Sequence, residues 1–163
     1  MVNGPPSEAA QQARLVQSRR AAQMVAGLPG VLGVEGVGPL LREAAVESFH
    51  IQARELLEFL LLRAHLTGAV CATDISPAWV PALGGDQVRG LATYRDSADV
   101  YLSRLWSEPT RTEMATAVEV AVESAHFQKI ADRVLAVWDQ YADQFDQEIP
   151  FDIADSLGLD DQQ

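Results

Sequence analysis

The octet EAAVESFH (residues 43–50) returns 76 positions later as EVAVESAH (residues 119–126), with Glu, Glu and His at the same spacing in both. On a helix, positions i, i+4 and i+7 share a face. Glu43, Glu47 and His50 therefore align, as do Glu119, Glu123 and His126. Glu-x-x-His from two helices, joined by a Glu from each of two others, is the ligand set of di-metal helical bundles. Half of that set is missing. The first predicted helix offers only Glu8 at its very start and carries Arg14, Arg19 and Arg20 in its middle, while the third has Asp96 and Asp99 but no Glu. Both stripes also turn basic further along, to Arg54 in the first (which closes on Glu58) and to Lys129 and Arg133 in the second. That order supports a solvated helix surface, at about 0.2–0.5 kcal/mol per i,i+4 pair. A cation one turn beyond a ligand His opposes a bound metal ion instead. The two stretches are read as exposed helix surface and no cofactor is expected, with the di-metal site as the alternative.

A second constellation is basic. Arg95, Arg104 and Arg111 lie on one predicted helix and its exit, and with Arg54 they could form a strip for phosphate. Asp96, Asp99 and Glu108 stand beside them, so solvated or locally paired arginines are the preferred reading. Arg54 likewise has Glu47, Glu58 or an acid of another helix as ordinary partners. Trp79, Trp106 and Trp138 are read as packing aromatics, and His65 as a residue suited to a helix C-terminus.

The elements that hold these residues follow from periodicity. Pro5-Pro6-Ser7 predicts a helix start with Ser7 as N-cap and Glu8 in the first turn. The helix is expected to run to about Ala26, and GLPGVLGVEGVG (residues 27–38) to be a glycine-rich loop. No Gly-Lys-Ser/Thr follows that loop and Glu35 would repel an anion, so it is a connector and not a phosphate cradle. Pro39 suits the first turn of a second helix. Leu41, Ala45, Phe49, Ala53, Leu56, Leu57 and Leu60 then recur at helical steps until Gly68. Residues 67–90, with Pro77, Pro81 and Gly84-Gly85, cannot be one regular element. Tyr94 to Trp106 mark a third helix, and a stripe from Val118 and Val122 through Ala125, Val134 and Tyr141 to Phe145 marks a long fourth. No stretch alternates with the period of a strand. The expected fold is all-α: an up-and-down bundle of four main helices with one long irregular loop, over residues 1–145.

Composition limits the function classes. Hydrophobic residues make up 48% of the 163 and charged residues 21%, ordinary for a globular chain. No apolar run approaches the roughly 18 residues of a membrane span, and the first residues have no apolar segment of the secretory type. Cys71 is the single cysteine, which excludes a disulfide framework. These features lead to the expectation of a cytoplasmic protein with no membrane association. Residues 139–163 hold eight carboxylates and no Lys or Arg, which leaves only −3 of the net charge of −11 for everything before them. Global charge disfavours indiscriminate nucleic-acid binding.

Read as a whole, the second helix resembles a family. ESFHIQARELLEFLL (residues 47–61) is similar to the signature helix of a group of small helical bacterial proteins of HEPN-like type, whose pattern is roughly Glu-Ala/Ser-Phe-x-x-His-x-Arg-Asn-Leu-Ile/Leu-Asp-Phe. Glu47, Ser48, Phe49, Ala53, Arg54, Leu56, Leu57 and Phe59 fit, with Glu58 in place of Asp. ATDISPAW (residues 72–79) resembles the family's loop, and YRDSADVYLSRLWSEPTR (residues 94–111) its following helix. The resemblance covers residues 40–111 and implies an all-α bundle whose site would include Glu47, Gln52, Arg54, Arg95, Arg104 and Arg111. Gln52 and Arg104 stand where the family places histidines, and neither can shuttle a proton near neutral pH. The Arg-(four to six residues)-His motif of active HEPN ribonucleases is absent. The resemblance therefore implies a module without ribonuclease activity.

Two expectations concern association. Leu56, Leu57, Phe59, Leu60, Leu61 and Leu62 nearly encircle the end of the second helix, and a helix apolar all round is buried all round. A second copy or another protein is expected to cover it. The acidic tail, residues 146–163, carries Phe151, Ile153, Leu157 and Leu159, more apolar than a solvating tail requires. It is expected to dock on a partner or a second copy through those residues, with folding back on its own bundle as the open alternative.

Overall fold

A computed structural model describes residues 5–62, 69–104 and 116–145, without the side chains of residues 103, 104 and 145. The architecture is all-α: α1 Glu8–Leu32, α2 Pro39–Leu61, the single turn α3 Ala72–Ile75, α4 Gly85–Arg104 and α5 Ala117–Phe145. No strand occurs among the described residues. The four long helices make the expected bundle. None of the described helices is long and apolar enough to cross a membrane.

Local chemistry sets the helix starts where the sequence places them. Ser7 caps α1 by accepting from Ala10 N at 3.3 Å, and Pro39 occupies the first turn of α2. The end of α1 differs from expectation. It does not stop at Ala26 but continues through Gly27, Pro29 and Gly30 to Leu32, so the connector is only residues 33–38. Packing overrides the local breakers. Val25, Pro29 and Leu32 are fully buried, and two of the last carbonyls accept from other helices. Ser124 Oγ donates to Pro29 O at 2.8 Å, and Arg42 Nη1 donates to Leu32 O at 2.9 Å. Gly36, at φ 79°, turns the chain toward α2 in the left-handed region that favours glycine.

Helix α2 is the centre of the molecule. It packs on α1, α3, α4 and α5, and α1 packs on α5 as well. Specific pairs fix directions. Arg42 at the start of α2 reaches Leu32 at the end of α1, while Arg14 near the start of α1 binds Glu55 near the end of α2. These two helices are therefore antiparallel. The ring of Phe59, late in α2, packs edge-on against Tyr141, late in α5, at 5.4 Å, whereas Glu123 near the start of α5 meets Arg42. Those two run parallel.

The core is formed by Val25 and Leu32 of α1, Phe49, Leu56, Leu57 and Phe59 of α2, and Val134, Val137 and Tyr141 of α5. Each fully buried Leu or Phe contributes about 1.5–3 kcal/mol over its exposed state. The apolar end of α2, expected to be covered by a second copy or another protein, is largely covered within one chain, with Leu61 and Leu62 half-buried. Leu56, Leu57, Phe59 and Leu60 are all buried. The segment after α2 supplies the cover, because Trp79 lies against Tyr141 at 5.1 Å and donates from Nε1 to Leu60 O at 2.8 Å. Trp79 thus fills a gap and satisfies a terminal carbonyl of α2 together.

Parts of two predicted stripes face outward. Leu41 on α2 and Val118, Val122 and Ala125 on α5 are exposed. The irregular segment 67–90 contains α3, and α4 begins inside it at Gly85.

Candidate functional site

His50 overturns the surface reading of its octet. Only 9% exposed, it sits where α2, α4 and α5 meet. Its Nδ1 lies 3.0 Å from Tyr94 Oη. Tyr101 of α4 and Phe127 of α5 pack against the ring, at centroid distances of 4.5 and 5.4 Å. Burial, and then repulsion from His126, lowers the His50 pKa to about 4. Burial raises the Tyr94 hydroxyl above its ordinary range. Neither group titrates near neutral pH, so the pair acts as a packed neutral hydrogen bond. A general base works best with a pKa near the working pH, and burial holds His50 well below it.

The second octet does not mirror the first. His126 and Glu119 are exposed, and Glu119 accepts from Thr116 N at 2.8 Å and Thr116 Oγ1 at 3.0 Å, closing the first turn of α5. Glu123 is held by Arg42, whose Nε donates to it at 2.6 Å. Glu43 and Glu47 are half-buried on α2. His50 and His126 come near enough to repel when charged. Among the described residues, however, no three His, Cys, Asp or Glu side chains gather where they could hold a metal ion.

The arginine constellation is dispersed into pairs. Arg54 donates from Nε to Glu58 at 3.0 Å and faces Asp99 of α4 from Nη1 at 3.0 Å. Arg95 is bound to its neighbour Asp96 at 2.7 Å. Gln52 is half-buried on α2, and Arg104 closes the described part of α4. Arg111 lies outside the described residues, as do Phe151, Ile153, Leu157 and Leu159.

Two features escaped the sequence reading. Tyr94 and Tyr101 belong to the third helix, and nothing local in the sequence links positions so distant to His50. Arg42 offered a usable signal. A cation in the first turn of a helix opposes the macrodipole, and with Gly38 and Val46 at the i±4 positions it has no acid one turn away. Such a residue calls for a partner elsewhere in the fold, here Glu123 and Leu32 O. Arg14 does similar work at the other end, where its guanidinium binds Glu55 at 2.9 Å and Val70 O at 3.2 Å and lies 5.8 Å from the Phe59 ring centre.

Exposed apolar side chains remain. Leu40 (75% exposed), Leu41 (60%), Val118 (73%) and Val122 (66%) lie at the end of the bundle where α1 finishes and both α2 and α5 begin, with Val31 and Val34 beside them in sequence or fold. Large apolar residues scattered singly over a surface are ordinary; six of the eleven exposed ones among the described residues belong to this end. Comparison with known proteins brings no match: no family model, no curated protein and no solved structure is significantly similar to the chain.

Proposed function

We propose that the chain is a non-catalytic, HEPN-like helical module that works through protein contacts and associates with a second copy of itself. The observation that carries this reading is that six of the eleven exposed large apolar side chains among the described residues belong to one end of the bundle. The polar residues with chemical potential argue on the same side. His50 is enclosed, Glu123 is bound by Arg42, and Arg54 and Arg95 are held by acids. Nucleotide binding through Arg54 and Arg95 would require breaking those pairs, and a di-metal centre would require releasing Glu123. Both alternatives therefore have less support than a contact surface.

Light scattering at micromolar concentration tests the proposal. The expected result is a mass above that of one chain, falling to the monomer mass in a Leu40→Ser/Val122→Ser variant, whose substitutions are exposed and leave the core intact. A monomeric, unaggregated parent protein would refute self-association.

A further inference from the structure

A cleft of about 440 Å³ lies between the first half of α4 and the second half of α5. Leu83, Leu91 and Ala136 line its apolar part, and Asp86, Asp132 and Arg133 are among its polar residues. Its size falls within the range of about 300–1,000 Å³ usual for ligand clefts. One of the two carboxylates is neutralised, and the other keeps its charge beside Arg133. Asp86 is paired with Arg89, and Asp132 accepts from Gln128 at 2.8 Å. Arg133 differs. Arg133 and Lys129, one turn earlier on the same exposed side of α5, have no ion-pair partner among the described residues, whereas Arg14, Arg42, Arg54, Arg89 and Arg95 each have one. An apolar cleft flanked by two unpaired cations suits an extended segment that is both acidic and apolar.

The chain carries such a segment just beyond α5. Residues 146–163 hold six carboxylates, no Lys or Arg, and Ile149, Phe151, Ile153, Leu157 and Leu159. Its reach is sufficient. Ala136 lies nine residues before the end of α5, about 14 Å back along the helix axis. Extended chain covers about 3.3 Å per residue, so Phe151 reaches about 20 Å from Phe145 and Leu157 about twice that. Pro150, which cannot continue a helix, lies at the point where the chain would turn back.

We propose that this cleft is a docking site for an acidic, apolar peptide and that the chain's own C-terminal segment occupies it. Phe151, Ile153 or Leu157 would fill the Leu83, Leu91 and Ala136 surface while the carboxylates meet Lys129 and Arg133. An external acidic peptide would have to displace the tail, so the segment sets a threshold for any partner using the same cleft. This inference is independent of self-association, which concerns the opposite end of α5.

The test places a nitroxide spin label on a Ser156→Cys variant of the full-length chain, in which Cys71 is buried and therefore protected. Paramagnetic broadening of backbone amides is then read by NMR. The expected result is loss of most of the peak intensity at Gln87, Gly90 and Ala136, with the far side of α1 unaffected. Adding Lys129→Glu and Arg133→Glu should restore it. Uniform broadening, or none, would overturn the proposal. So would broadening that appears only when isotope-labelled chains are mixed with separate spin-labelled ones, since the occupant would then be a second copy. The mass measurement that tests self-association is unaffected by any of these outcomes.

Discussion

Acidification should weaken this protein through His50 in a way that one substitution removes. The buried ring has a pKa near 4 in the folded chain against an ordinary 6.5, so between those values the unfolded chain binds a proton that the folded chain refuses. Stability therefore rises with pH across this window and is lost as pH falls from about 6.5 toward about 4. At about 1.4 kcal/mol per pH unit, the full window amounts to about 3 kcal/mol, and the part above about pH 5 to about 2 kcal/mol. For a chain of this size, about 2 kcal/mol lowers the melting temperature by about 4–8 °C. Carboxylates titrate in the same region, so the informative quantity is a difference. Melting temperatures of the parent and of His50→Gln, which retains a partner for Tyr94 but does not titrate, should be compared at about pH 7.5 and about pH 5. The variant is expected to be less stable at the higher pH, because it loses the ring contacts with Tyr101 and Phe127. Its further loss on acidification should be smaller than the parent's by about 4–8 °C. Parallel losses in the two proteins would refute the enclosure of His50 as the cause.

The two tertiary links that close helix ends give further expectations. Arg42→Met removes the donors to Leu32 O and to Glu123; because the Glu123 side chain is 35% exposed and water can solvate it once released, the loss should be about 2 kcal/mol in urea unfolding, most of it from the carbonyl. Glu123→Gln should cost less, and an Arg42→Met midpoint equal to the parent's would show that the link adds nothing. Trp79→Phe keeps most of the ring but leaves Leu60 O without its donor, so a loss of about 2 kcal/mol is expected by thermal unfolding, with unchanged far-ultraviolet circular dichroism. A change below about 0.5 kcal/mol would place Trp79 among ordinary packing residues.

Much of the bundle was legible in the sequence, for reasons that are local. The cap at Ser7, the proline at position 39 and the apolar recurrence from Ala45 to Leu60 are properties of neighbouring residues, and the structure keeps them. The misreadings share a different cause. Gly27, Pro29 and Gly30 signal a break, yet α1 continues, with its last carbonyls accepting from Ser124, far along the chain, and from Arg42 of the next helix. The two octets read alike, yet His50 faces Tyr94 and Tyr101 whereas His126 faces solvent. Identical spacing cannot carry that distinction, because the neighbours come from other helices. The apolar end of α2 suggested a missing copy because sequence does not show that Trp79 folds over it. Arg42 is the informative exception, since the lack of an acid one turn away is itself a sign of a partner elsewhere in the fold.

The contacts that bind the start of α5 to the end of α1 and the start of α2 join residues far apart in the chain, Pro29 to Ser124 and Arg42 to Glu123. They impose an order in time. During synthesis the antiparallel α1 and α2 emerge first and can pair, but Val25, Phe49 and Leu56 then face a wall that has not yet been made. At about 5–20 residues per second, the remaining stretch to Phe145 takes on the order of ten seconds to translate. Throughout that interval the greasiest face of the molecule is open to whatever else is in the compartment. The period of greatest hazard for this protein thus falls before its last helix is complete, and the speed at which α5 arrives sets how long it lasts.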